Sequence, residues 1–157
     1  MTPEQELIAD LLRQVEASAK ALSETVPLID PFPVDVESFK SLPVIGRVAS
    51  TAMLKEVEQL ENGLVSLFRV ILKSMGINLK GLYPMDIANH MIELDVLDDA
   101  AEWVEIVKLR NELVHEYPIA SADQLSQFSR AHAAIATLDD ATRRVTALVA
   151  TKGLLRD

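Results

Sequence analysis

The chain is conspicuous for what it lacks. Its 157 residues contain no cysteine, only 4% aromatic residues and only five glycines. Without cysteine, neither a disulfide scaffold nor a thiolate metal site is possible, and the composition suits a reducing compartment. No apolar run approaches the roughly 20 residues that a membrane span needs. The first residues, Met1 to Glu6, lack the basic flank of a signal peptide, so we expect a cytoplasmic protein without membrane contacts.

Aliphatic and acidic residues are abundant instead. Hydrophobic residues make up 49% of the chain, and 24 acidic against 15 basic side chains give a formal charge of −9. This length predicts one domain, residues 1–157, that buries about two thirds of its unfolded surface. The acidic balance argues against a nonspecific nucleic-acid coat, because cationic contacts dominate phosphate binding, but it permits a small basic pocket.

Apolar residues recur at helical spacing along almost the whole chain. This pattern predicts an all-α protein, an antiparallel bundle of four to five helices. The predicted helices run from Pro3 to about Glu24 behind a Thr2 cap, from about Gly46 to Met75 before Gly76, from Pro84 through Ile92, from the acidic pair Asp98 and Asp99 to about Glu116, and from a Ser121/Gln124 capping box to near Thr151.

Proline interrupts this pattern between the first two long helices. Four of the seven prolines, Pro27, Pro31, Pro33 and Pro43, fall in residues 26–43. Proline removes a backbone donor and disfavours helix at the preceding residue. We therefore expect an ordered, extended connection, anchored by three apolar side chains: Leu28, Ile29 and Phe32.

The fourth helix carries an arginine where a packed helix normally has leucine. On a helical wheel, five apolar side chains fall within about 60° of Arg110. They are Trp103, Ile106, Val107, Leu113 and Val114. Because a buried, unpaired guanidinium is costly, Arg110 must be paired or must line a cleft or an interface. A structural explanation stays open: the side chain could extend to solvent, or pair with an acid such as Glu61 or Glu93.

The neighbours of Arg110 indicate chemistry. Asn111, His115 and Tyr117 supply an amide, a titrating base and a phenol within two turns. Asn111 and His115 are four residues apart, so the amide can orient the imidazole. His115 lies about 140° from Arg110 on the wheel. The two could converge if Pro118 opens the last turn, or across a two-fold dimer interface.

The motif Arg110-Asn111-x3-His115-x-Tyr117 resembles the signature of HEPN-domain proteins, and most closely the HepT branch of bacterial toxin–antitoxin pairs. The similarity extends from Tyr83 and Pro84 through the acidic turn to Tyr117. It implies a HEPN-like bundle that acts as a metal-independent endoribonuclease toxin on an RNA substrate. It also implies a homodimer formed through the motif-bearing helix, with no cofactor or metal.

The same resemblance implies the residue roles. Arg110 would hold the scissile phosphate, His115 would act as general acid and base, and Asn111 would orient or hydrogen-bond. In the type VII-like pairs of this family, a nucleotidyltransferase antitoxin of the MntA type adds AMP to the motif tyrosine, here Tyr117. A bulky anion beside Arg110 would block the phosphate site.

Two other functions stay open. The bundle could be a noncatalytic nucleotide- or partner-binding subunit of a small nucleotidyltransferase, with Arg110 holding a nucleotide phosphate. Alternatively, Arg110 could simply be salt-bridged in a structural bundle. An RNA groove would need local cations, for which the candidates are Arg47, Lys55, Arg69, Lys73, Lys80 and Lys108.

The remaining histidines favour structural interpretations. His90 with Glu93, and with Asp86 or Glu102, imitates part of a metal site, but such a group on a short helix is usually a solvated face. His132 lies on the apolar stripe of the last helix, where we expect a hydrogen-bonded core histidine.

Overall fold

Among the residues that the structure describes, six α-helices and one 3₁₀ turn form the regular structure, where the sequence predicted four to five helices. The computed structural model describes residues 1–115 and 117–156, and no strand occurs among them. The helices are α1 (Pro3–Thr25), α2 (Val36–Lys40), α3 (Val44–Ser74), α4 (Pro84–Glu93), α5 (Ala100–His115) and α6 (Ser121–Thr151), and the 3₁₀ turn is Val26–Leu28. The all-α prediction is confirmed.

The 31-residue helix α3 is the centre of the bundle. It packs against α1, α4, α5 and α6. Several of its side chains are completely buried in the core, among them Leu60, Leu64 and Phe68. Cross-helix contacts show that α1 runs antiparallel to α3 and to α6, so that α3 and α6 run parallel to each other. Thr25 of α1 donates to Glu56 of α3 at 2.8 Å, whereas the Cβ position of Gly63, further along α3, meets the earlier Val15.

Local sequence sets the helix ends. Thr2 and Gln5 form a reciprocal capping box, in which the Gln5 N–H donates to Thr2 Oγ1 at 3.1 Å and the Thr2 N–H to Gln5 Oε1 at 2.8 Å. Beyond α3, Gly76 has φ +86°, which favours glycine, and the Ile77 N–H closes the turn on the Leu72 carbonyl. The predicted start of α1 at the Thr2 cap and the predicted stop of α3 at Gly76 are therefore confirmed.

The proline-rich connection is less extended than predicted. Besides the 3₁₀ turn it contains α2, because the stretch between Pro33 and Pro43 is free of proline and Asp35 caps it by accepting from the Ser38 N–H at 2.8 Å. Ile29 is buried, as expected of an anchor. Leu28 is instead 53% exposed, so its predicted anchoring is wrong.

Phe32, the third expected anchor, meets α6 at the edge of the core. Its ring lies 5.4 Å from Phe128 and 4.5 Å from His132, measured between ring centroids. His132 is half-buried against this ring and has no hydrogen bond to any residue that the structure describes. The predicted hydrogen-bonded core histidine is therefore wrong: an aromatic neighbour fills the space where a polar partner was expected.

The start of α6 also differs from the prediction. Ala120 is the N-cap residue and supplies no side-chain cap, and Ser121 is already helical. The Gln124 side chain donates to the Pro118 carbonyl at 2.9 Å instead of closing a capping box with Ser121. The predicted end of the preceding helix at about Glu116 lies outside the described residues; α5 is described to His115.

No helix among the described residues combines the length and apolarity that crossing a membrane requires.

Candidate functional site

The candidate site is built on α5, whose register the sequence determines locally. Asp99 Oδ1 accepts the Glu102 N–H at 3.1 Å and so caps the first turn. Trp103, Ile106 and Leu109 form the buried stripe. Because that stripe is centred near Ile106, Arg110 lies about 40° to one side of it. Its side chain is accordingly 27% exposed and not fully buried.

Arg110 pairs with Glu61 of α3, one of the two acids considered from the sequence. Arg110 Nε lies 2.9 Å from Glu61 Oε2, and the Glu61 side chain is completely buried. The contact is an ion pair without hydrogen-bond alignment: among the described residues, no hydrogen-bond partner exists for either carboxylate oxygen of Glu61 or for Arg110 Nε. Glu61 is thus a buried carboxylate held by one imperfect contact, which is an unusual arrangement for a packed core.

Burial dominates the protonation of Glu61. Loss of solvent raises the pKa of this carboxyl from its ordinary 4.5 to about 7, although the Arg110 guanidinium opposes the shift. Glu58, one turn earlier on α3, adds to the shift by repulsion. The positive charge that Arg110 presents to a ligand therefore depends on whether Glu61 holds a proton.

The exposed part of Arg110 borders a cavity of about 130 Å³ between α3, α4 and α5, here called the Arg110 cavity. Arg69 of α3 lies on the same wall, and Trp103 and Ile87 form buried parts of the lining. Two arginine side chains therefore line one small, mostly apolar space. Arg69 was one of the candidate cations proposed from the sequence.

His115 and Tyr117 lie on a different surface, at and beyond the last turn of α5. They line an open cleft of about 840 Å³ with Arg130 of α6, here called the His115 cleft. Both are exposed, Tyr117 at 77%, and neither makes a hydrogen bond with a described residue. A second, smaller cavity beside them, of about 300 Å³, brings in Lys55 from α3.

Arg130 is the member of this site that sequence reasoning missed. It forms an ion pair with Glu112, with Nη2 2.7 Å from Glu112 Oε2, and its hydrogen bond lowers the pKa of the Glu112 carboxyl. The pair neutralises one of the two acids near the motif. The other, Glu116, lies outside the described residues. The signal that could have found Arg130 is the antiparallel pairing of α5 with α6, which places it opposite Glu112.

The structure does not bring all the predicted site residues together. Arg110 and His115 border different cavities, consistent with their wide separation on the wheel. Asn111 is exposed and makes no hydrogen bond to His115 or to any other described residue. Within one chain, then, an imidazole and a guanidinium from α6 share a cleft, while the motif arginine faces elsewhere.

The described part of the chain contains no group of three or more His, Asp or Glu side chains that could hold a metal ion. The side chains present can transfer a proton through an exposed imidazole and stabilise negative charge through guanidinium and ammonium groups.

No family model, characterised protein or solved structure matches this chain. The resemblance to HEPN domains therefore stays a prediction from the motif, and function must be argued from the residues themselves.

Proposed function

We propose that this protein is a metal-independent endoribonuclease of the HepT type. The observation that carries the proposal is the state of His115: an exposed imidazole, free of hydrogen bonds to the described residues, in an open cleft with Arg130. A histidine available for proton transfer beside a cation is what cleavage of an RNA backbone needs, because RNA supplies its own nucleophile.

The reaction can be written with these groups alone. His115 takes the proton of a ribose 2′-hydroxyl, whose oxygen attacks the adjacent phosphorus. The bond from phosphorus to the 5′-oxygen breaks, and that oxygen takes the proton back from His115, which is thereby restored. Arg110 and Arg130 stabilise the negative charge that grows on the phosphoryl oxygens. Asn111 orients the imidazole or a phosphate when the cleft is occupied. The products are a cyclic phosphate and a free 5′-hydroxyl.

Arg110 and His115 would meet across a homodimer. In one chain they border separate cavities, but an isologous contact through the end of α5 would place the histidine of one protomer near the arginine of the other. Exposed apolar side chains at that end of α5, Val114 (46% exposed) among them, suit such a contact.

Tyr117 would be the control point. Its phenol is 77% exposed in the same cleft as His115, so a nucleotidyltransferase partner of the MntA type could add AMP to it. The added phosphate would lie close to Arg130 and fill the space that RNA needs. Modification would thus neutralise the toxin without unfolding it.

Cleavage by the purified, unmodified chain in EDTA tests the proposal. We expect single-stranded RNA to be cut, and His115→Ala to lose at least a hundredfold in rate. His90→Ala, on α4 and away from both cavities, is the matched control and should cut normally. Rapid cleavage by His115→Ala that remains after repurification would overturn the mechanism.

Mixing two inactive variants tests the shared site. Arg110→Gln and His115→Ala are each inactive as homodimers, but a mixed dimer holds one intact pair if the arginine and histidine come from different protomers. We expect each mixed dimer to have up to about half of the activity of a wild-type dimer, which holds two intact pairs. No recovery, with mixed dimers shown by native mass spectrometry, would place both groups in one protomer.

A noncatalytic subunit is the second candidate, favoured by the engagement of Arg110 with Glu61. That protein would bind AMP or ATP and leave RNA intact under all conditions. A nucleotide titration run beside the cleavage assay separates the two.

A further inference from the structure

The Arg110 cavity has a composition that the motif does not explain. Its two cations, Arg69 and Arg110, are the only charged side chains among the residues that line it. This is notable in a chain with a formal charge of −9. Arg69 makes no ion pair or hydrogen bond with any residue in the described part of the chain, so its guanidinium is available. Exposed Arg69 and Pro84 form the mouth, and buried Trp103 and Ile87 form the inner wall.

The size of the cavity limits what can enter. At about 130 Å³ it is well below the roughly 300 Å³ at which small-molecule pockets begin, so it can hold one small group and not a whole nucleotide. Guanidinium groups match phosphate and carboxylate oxygens in pairs, and apolar walls strengthen that attraction by excluding water.

Among the described residues, Glu61 is the only acid that forms an ion pair with Arg110, and it does not line the cavity. It is fully buried, and neither of its oxygens has a hydrogen-bond partner in the described part of the chain. While ionised it offsets the charge of Arg110. Once protonated it leaves Arg110 free to bind another anion. The described charged groups that act on Glu61 are Arg110 from α5 and Glu58 from α3 itself.

We propose that the Arg110 cavity binds one oxyanion group, a phosphate or a carboxylate, between Arg110 and Arg69, and that Glu61 takes up a proton from solvent as the anion binds. The exchange balances in charge: one anion and one proton enter together, and the ionised Glu61 is replaced by the ligand as the counterion of Arg110. The oxyanion could be a free ion or a phosphodiester of bound RNA. An effect on RNA cleavage would rest on the proposed function, whereas the binding itself does not.

The single tryptophan provides a direct readout. Trp103 is the only tryptophan in the chain and lines the cavity, so its fluorescence reports occupancy. Sulfate is the first probe, because it keeps one charge state between pH 6 and pH 8. Chloride keeps the ionic strength constant. We expect saturable binding about tenfold weaker at pH 8 than at pH 6, because proton uptake limits it.

Three variants assign the effect. Glu61→Gln should bind sulfate equally at both pH values and about tenfold more tightly than wild type at pH 8. Arg69→Gln should weaken binding at least fivefold at both. Arg13→Gln, which removes an exposed arginine of α1 paired only with Asp10, is the charge-matched control and should behave as wild type. Circular dichroism checks that each variant is folded.

Each outcome is decisive. No saturable change in wild-type fluorescence with sulfate, acetate or a short oligoribonucleotide overturns the site. Binding that ignores pH in wild type overturns the role of Glu61, and binding unchanged in Arg69→Gln overturns the location. A response at far lower concentrations of oligoribonucleotide than of sulfate identifies the RNA backbone as the source. None of these measurements uses RNA cleavage. The binding result therefore holds even if the protein proves unable to cut RNA.

Discussion

The two ends of the motif lie in opposite environments, although Arg110 and His115 are less than two turns apart on α5. Arg110 is set against a buried carboxylate and an apolar wall, whereas His115 and Tyr117 are exposed and without hydrogen bonds to the described residues. The first environment holds the positive charge of Arg110 in place, and the ionised Glu61 beside it offsets that charge. The second leaves a proton carrier and a nucleophilic phenol accessible. Positioning and chemistry are therefore separated along α5.

Removing the buried carboxyl tests the first environment and should give the largest effect on stability. A pKa raised from 4.5 to about 7 means that folding holds the Glu61 proton more tightly. This stabilisation is complete below the pKa of Glu61 in the unfolded state, and it is lost as the pH rises through the pKa in the folded state. Between pH 5 and pH 8, the free energy of unfolding should fall by about 2 to 3 kcal/mol more in wild type than in Glu61→Gln.

Urea unfolding at several pH values measures this difference. Glu105→Gln, an exposed acid of α5, is the control and should follow wild type. Parallel stability profiles for wild type and Glu61→Gln would show that Glu61 does not titrate in this range.

Removing the cation should have a smaller effect that also depends on pH. Arg110→Met leaves Glu61 buried without a counterion, which alone would cost several kcal/mol. Because Glu61 can take up a proton instead, we expect a loss of only about 1 to 2 kcal/mol at pH 8 and almost none at pH 5. The double variant Glu61→Gln/Arg110→Met should lack this pH dependence, and a double-mutant cycle would give the coupling energy. A loss independent of pH would indicate packing by the arginine stem alone.

The exposed environment should respond least. The Glu112–Arg130 pair is open to solvent, so Glu112→Gln should change the unfolding free energy by less than about 1 kcal/mol. Arg130 then carries an uncompensated charge in the His115 cleft, and we expect tighter binding of a short RNA in a salt-dependent manner. Fluorescence anisotropy with a labelled, noncleavable oligonucleotide measures this binding, and Glu24→Gln, which removes an exposed acid of α1, is the control. Weaker binding would mean that Glu112 orients Arg130 for the ligand.

The sequence predicted the helices well because their signals are local. The apolar spacing of α3, the Thr2 cap and the Gly76 stop each depend on residues within a few positions, and all were confirmed. The short helix α2 was missed because prolines on both sides of it outweighed a single capping residue, Asp35. Leu28 and Ile29 are adjacent, and only the tertiary path of the chain decides which one is buried.

The site was predictable in part for the same reason. The wheel placed Arg110 and His115 on different faces. The cost of burying a guanidinium required Arg110 either to be paired or to line a cleft or an interface. The choice between Glu61 and Glu93 depends on how α3 and α4 pack against α5, which no local pattern contains. Arg130 was missed because its place beside His115 follows from the pairing of α5 with α6, between residues far apart in the chain.

The position of Tyr117 between two helices affects any enzyme that would modify it. Residues 117–120 lie outside both α5 and α6. A modifying enzyme usually grips the chain on either side of its target in a stretched form, and a helical tyrosine would first have to unwind. Pro118, directly after Tyr117, disfavours a helical conformation at this tyrosine. An enzyme that modifies Tyr117 would therefore not have to unwind a helix at residues 117–120 first.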